Sequence, residues 1–340
     1  MKTVDIFTSL SRISDLAARP FEVSPLARER WEMGDYVVCE IEDPGGNNLL
    51  LELPNGRMRG VIGGEWVLGA FGRRHATLEA TGHWEAIGED LKMHLLTGAG
   101  LLGKLTSKSV FLPPLMQGVY RGHAMRSGRK LRMDDFVEAF PEQEFNTPVV
   151  LFFGTSMSAG KTTSARIVTH LFSSAGYRVV GAKLAGAGRY KDILALKDVG
   201  ADAIYDFVDV GLPSSICPRN VYQAKLKQLL YRMASVQADV AIVEVGASPL
   251  EPYNGDVAIE ALRANLRFSV LSASDPYAVL GLVHAFDLRP DLVTGVASNT
   301  LAGQELVERL CQVIALNLID ARNQPRLKAM LGQATGLPLN

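Results

Sequence analysis

The sequence predicts an α/β protein in two parts, a mainly parallel, doubly wound sheet preceded by a smaller β-rich domain. From about residue 147 onward, near-continuous apolar runs alternate with helical patterns, the texture of parallel strands covered on both faces. Before residue 140 the runs are shorter, two-periodic and separated by Gly- and Pro-containing turns. Between the two lies Glu138 to Pro148 (EAFPEQEFNTP), a polar stretch with two prolines that breaks both periodicities and marks the boundary.

Within residues 1–140, Phe7, Leu10, Ile13 and Ala17 recur at helical spacing, so a leading amphipathic helix is expected, docked or in a dimer contact. The runs DYVVCEIE, NLLLELP and GEWVLGAF read as strands, with turns at Pro44-Gly45-Gly46, Asn55-Gly56 and Gly63-Gly64, and Asn55-Gly56 signals a hairpin. Asp90 to Leu105 reads as a helix, and Tyr120 to Val137 as further short strands around Ser127-Gly128. A small barrel or sandwich fits this pattern. Within residues 147–322, VVLFFG, RVVGAKL, DVAIVEVG, FSVLSA and DLVTGVAS are the expected strands. Thr162 to Ala175 (closed by Gly176), Tyr222 to Val236 and Gln304 to Asn317 are the expected helices, and residues 323–340 are expected to form a loose tail.

Composition excludes several function classes. The 340 residues suffice for two cores at about 150 residues per domain. Lys plus Arg total 35 against 36 Asp plus Glu, which disfavours a nucleic-acid partner recognised by overall charge. The three cysteines, Cys39, Cys217 and Cys311, form neither a C-x-x-C pair nor a zinc pattern, so a reducing cytoplasm is expected. No apolar run reaches the ~18 residues of a membrane span, and Asp5 and Asp15 sit where a secretory leader would be apolar.

The chemistry concentrates after the first strand of the second domain, at Gly154-Thr155-Ser156-Met157-Ser158-Ala159-Gly160-Lys161-Thr162-Thr163. Strand, glycine-containing loop, Gly-Lys-Thr and helix is the context of a P-loop NTPase domain. In such a loop the backbone N–H groups and the helix N-terminus hold phosphate, Lys161 bridges the terminal phosphates, and the Thr162 hydroxyl faces Mg2+. The spacing departs from G-x-x-x-x-G-K-[ST], because five residues separate Gly154 from Gly160 and Thr155 stands where the first glycine usually is.

This loop, G-T-x-x-x-x-G-K-T, resembles that of dethiobiotin synthetase, and the likeness continues downstream. Lys183 in VVGAKLAGAG is similar to the family's substrate-side lysine, and Asp192 in YKDILAL to the magnesium-binding aspartate of D-A-L-A-L. Glu244 in Val243-Glu244-Val245-Gly246-Ala247 matches the magnesium-binding glutamate of V-E-G-A-G, and Asn299 in GVASNT an asparagine that reads adenine. The resemblance covers about residues 148–318 and implies ATP and Mg2+ as cofactors, a small anionic metabolite as substrate, and a homodimer that completes the substrate site. Leu184 replaces the family's proline, Ser248 replaces a glycine, and a whole domain stands in front. A relative using the same nucleotide machinery is therefore implied, not dethiobiotin synthetase itself. In domain order, with the loop G-T-x-x-x-x-G-K-x-T, the chain also resembles the DgcN-like family associated with D-glutamate N-acetylation.

The carboxylates make sense without either family, since Mg2+ wants oxygen ligands and takes few from protein when phosphates and water complete the shell. Thr162, Asp192 and Glu244 supply such oxygens; a cap or salt bridge is the structural alternative for Glu244, a solvated helix start for Asp192, and a turn role for Asn299. Asp275-Pro276 reads as a helix N-cap. His75 and His123 read as surface or core residues. Arg57, Arg59, Arg73, Arg74, Arg121, Arg126, Arg129, Lys130 and Arg132 make the first domain locally basic, read first as a solvated face, next as closing over an anionic substrate or the nucleotide, and last as binding RNA, since no aromatic stacking motif interleaves them. Gly186, Gly188 and Arg189 could form a second anion-binding loop. The resulting expectation is an ATP- and Mg2+-dependent kinase or ligase acting on a small carboxylate, with Lys161 and Lys183 as its catalytic residues. An N-acyltransferase using acyl-CoA, a nucleotide-gated assembly protein and a polynucleotide kinase are the alternatives.

Overall fold

A computed structural model of the chain describes residues 3–46, 50–286 and 288–339. They divide into two compact units: Met1–Ala139 with Ala187–Lys191 and Phe207–Ile216, and Phe140–Gly186 with Asp192–Asp206 and Cys217–Asn340.

The first unit is built from β1 (Ile6–Phe7), β2 (Glu22–Ser24), β3 (Tyr36–Asp43), β4 (Leu51–Glu52), β5 (Met58–Arg59) and β6 (Trp66–Phe71). It continues with β7 (Arg73–His75), β8 (Ala80–His83), β9 (Lys92–Thr97), β10 (Leu101–Lys108), β11 (Gln117–Arg126) and β12 (Arg129–Lys130). Antiparallel pairing runs β6 to β3 to β11 to β9 to β10, and parallel pairing of β10 with β6 closes the ring into a barrel. Closure leaves the ring without free strand edges. Alternate residues point inward, Val37, Cys39 and Ile41 from β3 and Met93 and Leu95 from β9, and Trp31 packs at 4.5 Å on the Tyr120 ring. Burial pushes the Cys39 thiol up to about 12, so it is a core filler and no nucleophile. The expected hairpin is present as β4 and β5 around Gly56; the Asn48 and Leu49 of its run lie outside the described residues.

Two expectations fail here. Asp90 to Leu105 is no helix; it forms most of the β9–β10 hairpin, because Gly98 and Gly100 interrupt any helix at ~1 kcal/mol each, while Leu95 and Leu102 reach the barrel core as cross-strand partners. The leading helix is also absent: β1 pairs parallel with β6, and only a 3-10 turn, Ser9–Ser11, follows. Ser11 and Ser14 donate their hydroxyls to the carbonyls of Thr8 and Ser11, the local bonds with which serine competes against helix.

The second unit contains β13 (Val149–Gly154), β14 (Val179–Ala185), β15 (Ala203–Asp206), β16 (Val240–Val245), β17 (Leu266–Ser272) and β18 (Leu292–Thr294). Its helices are α1 (Lys161–Ser174), α2 (Tyr190–Lys197, whose first two residues belong to the first unit), α3 (Arg219–Ser235), α4 (Gly255–Leu262), α5 (Pro276–Ala285), α6 (Leu301–Cys311) and α7 (Gln324–Thr335). The strands are parallel in the order β15-β14-β16-β13-β17-β18, the doubly wound sheet expected, with β15 added beyond the sequence reading. Every residue of β13 and β16 is buried, which is why both read as unbroken apolar runs apart from Glu244.

Residues 323–339 do not form the expected loose tail. Helix α7 buries Leu327 and Leu331 in the same core as Val168 and Phe172 of α1, with Leu337 and Leu339 packed against it. Leu327 and Leu331, four residues apart, are the helical signal in this segment, and Gly336 ends the helix in the left-handed region at φ 73. Because Leu331 is fully buried, Leu331→Ala should cost about 2–5 kcal/mol, read as a lower urea midpoint of the full chain. An unchanged midpoint would mean that α7 does not pack on the sheet.

Candidate functional site

The carboxyl ends of adjacent parallel strands carry the site, as expected for an open α/β sheet. Strand β13 ends at Gly154, and the loop 155–160 leads into α1. Thr155 ties the loop to the end of β17: its N–H donates to Ser272 O at 3.1 Å, and its hydroxyl accepts from the Ser274 N–H at 3.2 Å. Thr155 therefore replaces the usual glycine with a side-chain anchor. Gly160 caps α1 in the left-handed region at φ 105, a conformation open to glycine, and no side chain caps the first turn. The loop residues Ser156, Met157, Ser158 and Ala159 complete the turn, and Thr163 lies on the exposed side of α1.

Lys161, 1 % exposed, folds back on this loop and donates to Ser156 O at 2.5 Å and Met157 O at 3.2 Å. Beside it Thr162 Oγ1 donates to Glu244 Oε2 at 2.8 Å, at the end of β16. On the next strand, β14, Lys183 Nζ pairs with Asp192 Oδ2 at 2.6 Å. Gly246 makes room for the Lys183 stem: a Cβ there would stand 2.5 Å from Lys183 Cε and 2.6 Å from Ala185 O. Tyr222 of α3 supports the strand by donating its hydroxyl to Leu184 O at 2.8 Å.

These groups form one electrostatic cluster. Burial pushes the Lys161 ammonium down, opposed by the Glu244 carboxylate. Lys183 feels burial too, but the Asp192 and Glu244 carboxylates prevail and hold its pKa above the usual lysine value. Burial, reinforced by the neighbouring Asp192 carboxylate, raises Glu244, against the pull of Lys183, Lys161 and the Thr162 hydroxyl.

Of the residues singled out by sequence, the loop from Gly154 to Thr163, Lys183, Asp192 and Glu244 assemble here. Thr162 and Glu244 are direct neighbours whose oxygens suit a hard cation, whereas Asp192 is engaged by Lys183. Among the described residues, no group of three or more His, Cys, Asp or Glu forms a metal cluster by itself. Asn299 is exposed after the 3-10 turn Val296–Ser298, and its side chain makes no hydrogen bond among the described residues. Asp275 is the N-cap that it was read to be, accepting from the N–H groups of Tyr277 and Ala278 at 2.9 Å. His123 is a core residue between Tyr120 and Asp35, and His75 is exposed. The basic residues of the first unit are largely spent on carboxylates: Arg59 on Glu65, Arg73 on Glu85, Arg74 on Glu79, Arg121 on Glu40, Arg126 on Asp15, and Lys130 on Asp35.

Sequence reasoning missed Ser274, the loop anchor, and Glu251, which accepts from the Ser248 N–H at 2.8 Å and adds negative potential at Lys161. Ser274 stands just before the Asp275-Pro276 cap with no motif of its own, and Glu251 carries no motif either.

No family model matches the chain, and no curated protein matches it. Solved structures with a partial likeness include the chloroplast FtsY from Physcomitrella patens, 16% identical over 52% of this chain and 59% of that one, TM-score 0.37. A duf1611 family protein from Anabaena variabilis is 13% identical over 57% and 60%, TM-score 0.37. A ParA family ATPase from Chlorobium tepidum is 14% identical over 56% and 92%, TM-score 0.32. The chain spans about three fifths of the length of the first two.

The cluster makes stability depend on pH with a definite sign. A carboxyl raised in the folded state favours folding below its ordinary range, and that contribution is lost as pH rises through the folded value. Glu244→Gln has no charge to bury, so its urea midpoint relative to wild type should rise as pH increases from the carboxylate range toward neutrality. A constant difference across that range would mean that Glu244 does not titrate above its ordinary value. Gly246→Ala should displace Lys183 and destabilise the chain by ~1–3 kcal/mol, measured in the same way; full tolerance would contradict the close approach.

Proposed function

We propose that the second unit binds a nucleoside triphosphate with Mg2+ and that the chain is an ATP-dependent enzyme that phosphorylates or ligates a small carboxylate. The observation carrying this reading is the Thr162 hydroxyl on Glu244 at 2.8 Å, next to a buried Lys161 in a Gly-Lys-Thr loop at the end of a parallel strand. Loop amides 156–163 and Lys161 would hold the β- and γ-phosphates and oppose the charge that develops between them. Thr162 and Glu244 would hold the cation, with Asp192 within its electrostatic reach; a bound Mg2+ supplies charge neutralisation and alignment of the phosphates. Lys183, whose positive charge the cluster secures, would orient the acceptor carboxylate.

No general base is required, because an acceptor carboxylate is already anionic. Its oxygen would attack the γ-phosphorus, the bond to the bridging oxygen would break, and ADP would leave with that electron pair. The acyl phosphate could then be released or be attacked by an amine, which distinguishes kinase from ligase. Ser298-Asn299-Thr300-Leu301 lacks the guanine signature N-K-x-D, which favours ATP over GTP.

A thermal-shift series of wild type and Lys161→Ala against ATP, GTP and acetyl-CoA, each with and without Mg2+, tests the reading. A ligand at ~100 times its Kd stabilises by ~2.7 kcal/mol. The expected result is a Mg2+-dependent shift with ATP that Lys161→Ala abolishes. Equal ATP shifts in both proteins would remove the loop from the site, and a shift with acetyl-CoA alone would replace the kinase or ligase by an acyltransferase.

A further inference from the structure

A cavity of about 400 Å3 is lined wholly by residues of the first unit, none of them in the phosphate loop. Pockets of this size hold small organic ligands. Its walls are apolar, from Leu51, Leu95, Leu115 and Met116. Its charged lining is Arg74, Glu79, Arg189 and Lys191, three cations to one carboxylate. Arg74 is committed to Glu79 and also donates to Leu96 O at 2.6 Å. The side chains of Arg189, half-buried, and Lys191 have no hydrogen-bond or ion-pair partner among the described residues.

Arg30 and Arg57 of this unit also lack a carboxylate, but both are exposed on the surface, whereas Arg189, half-buried, and Lys191, exposed, line a cavity with apolar walls. The segment carrying them is held in place. Glu52, 1 % exposed, accepts from the Tyr190 and Lys191 N–H groups at 2.7 Å each, and from the Ser9 hydroxyl at 2.5 Å. Gly188 donates to Pro213 O at 3.0 Å, and Thr97 donates its hydroxyl to Gly188 O at 3.4 Å. Glu52 thus occupies the N-terminus of α2, so the positive charge presented to the cavity comes from the two side chains and not from the helix end.

We infer that this cavity binds a small organic acid, its carboxylate on Arg189 and Lys191 and its apolar body against Leu51, Leu95 and Met116. A guanidinium recognises a carboxylate with paired N–H donors, and the half-buried position strengthens that bond over a solvated one. The apolar walls select against small inorganic anions, which leave them uncovered. This inference concerns the first unit alone and stands whether or not the phosphate loop takes ATP.

Isothermal titration of the full chain with hexanoate, 3-phenylpropionate, hexanamide and hexyl phosphate tests it, in wild type, Arg189→Gln, Arg189→Gln/Lys191→Gln, and Met58→Trp, which fills the cavity from an exposed position in its lining. The acids should bind, hexanamide should not, and Arg189→Gln should weaken binding about ten- to hundredfold. The double variant should weaken it further, and Met58→Trp should abolish it with an unchanged circular dichroism spectrum. Absence of acid binding to wild type at millimolar concentration would overturn the inference, as would equal affinity in the double variant or equal binding of the amide. Preference for hexyl phosphate over both acids would overturn the choice of a carboxylate in favour of a phosphate monoester.

Discussion

Two buried lysines and two carboxylates, Lys183 and Glu244 on neighbouring parallel strands with Lys161 opening α1 and Asp192 on α2, are the constraint around which the second unit is organised. Lys161, Lys183 and Glu244 are each 5 % exposed or less, and a charge so placed costs several kcal/mol unless partners compensate it. Lys183 has Asp192, Glu244 has the Thr162 hydroxyl and two nearby ammonium groups, and Lys161 has the loop carbonyls. The local sequence serves these contacts: Gly246 clears the path of one lysine, Thr155 fixes the loop, and Tyr222 fixes the strand behind Leu184. Replacing Asp192 or Glu244 removes negative charge that compensates the buried lysines, so this part of the fold is sensitive to chemistry as well as to volume.

The first unit solves a different problem. The ring from β6 through β3, β11, β9 and β10 back to β6 gives each of these five strands a partner on either side. Two later chain segments, Ala187–Lys191 and Phe207–Ile216, belong to the same unit and are fastened to it by buried polar groups such as Glu52. Sequence-distant residues thereby acquire fixed positions, and Arg189 and Lys191 are among them.

What was legible in the sequence follows from how local each signal is. The parallel strands could be read because burial on both faces leaves an apolar run, and the phosphate loop because its chemistry is contiguous from Gly154 to Thr163. Glu244 is the one acid in the interior of such a run, since Asp239 and Asp291 stand at the starts of theirs. The β9–β10 hairpin is hard to read locally because its leucines come in adjacent pairs, Leu95-Leu96 and Leu101-Leu102, which follow neither period cleanly, and only the partner strands decide. The amino-terminal segment was misread because its serines bond locally in place of a helical ladder. Ring closure, the clamp by Glu52 and the anchor at Ser274 join residues from distant parts of the chain, so no short window contains them.

The central claim is that the loop at the end of β13 is a phosphate site. Hydrogen–deuterium exchange of the full chain with and without ATP and Mg2+ tests it at the level of individual segments. Slowed exchange in the peptides covering residues 155–163, with the barrel peptides unchanged, is the result that a phosphate held by the loop amides requires. Unchanged exchange there at saturating ATP, or protection elsewhere alone, would contradict it.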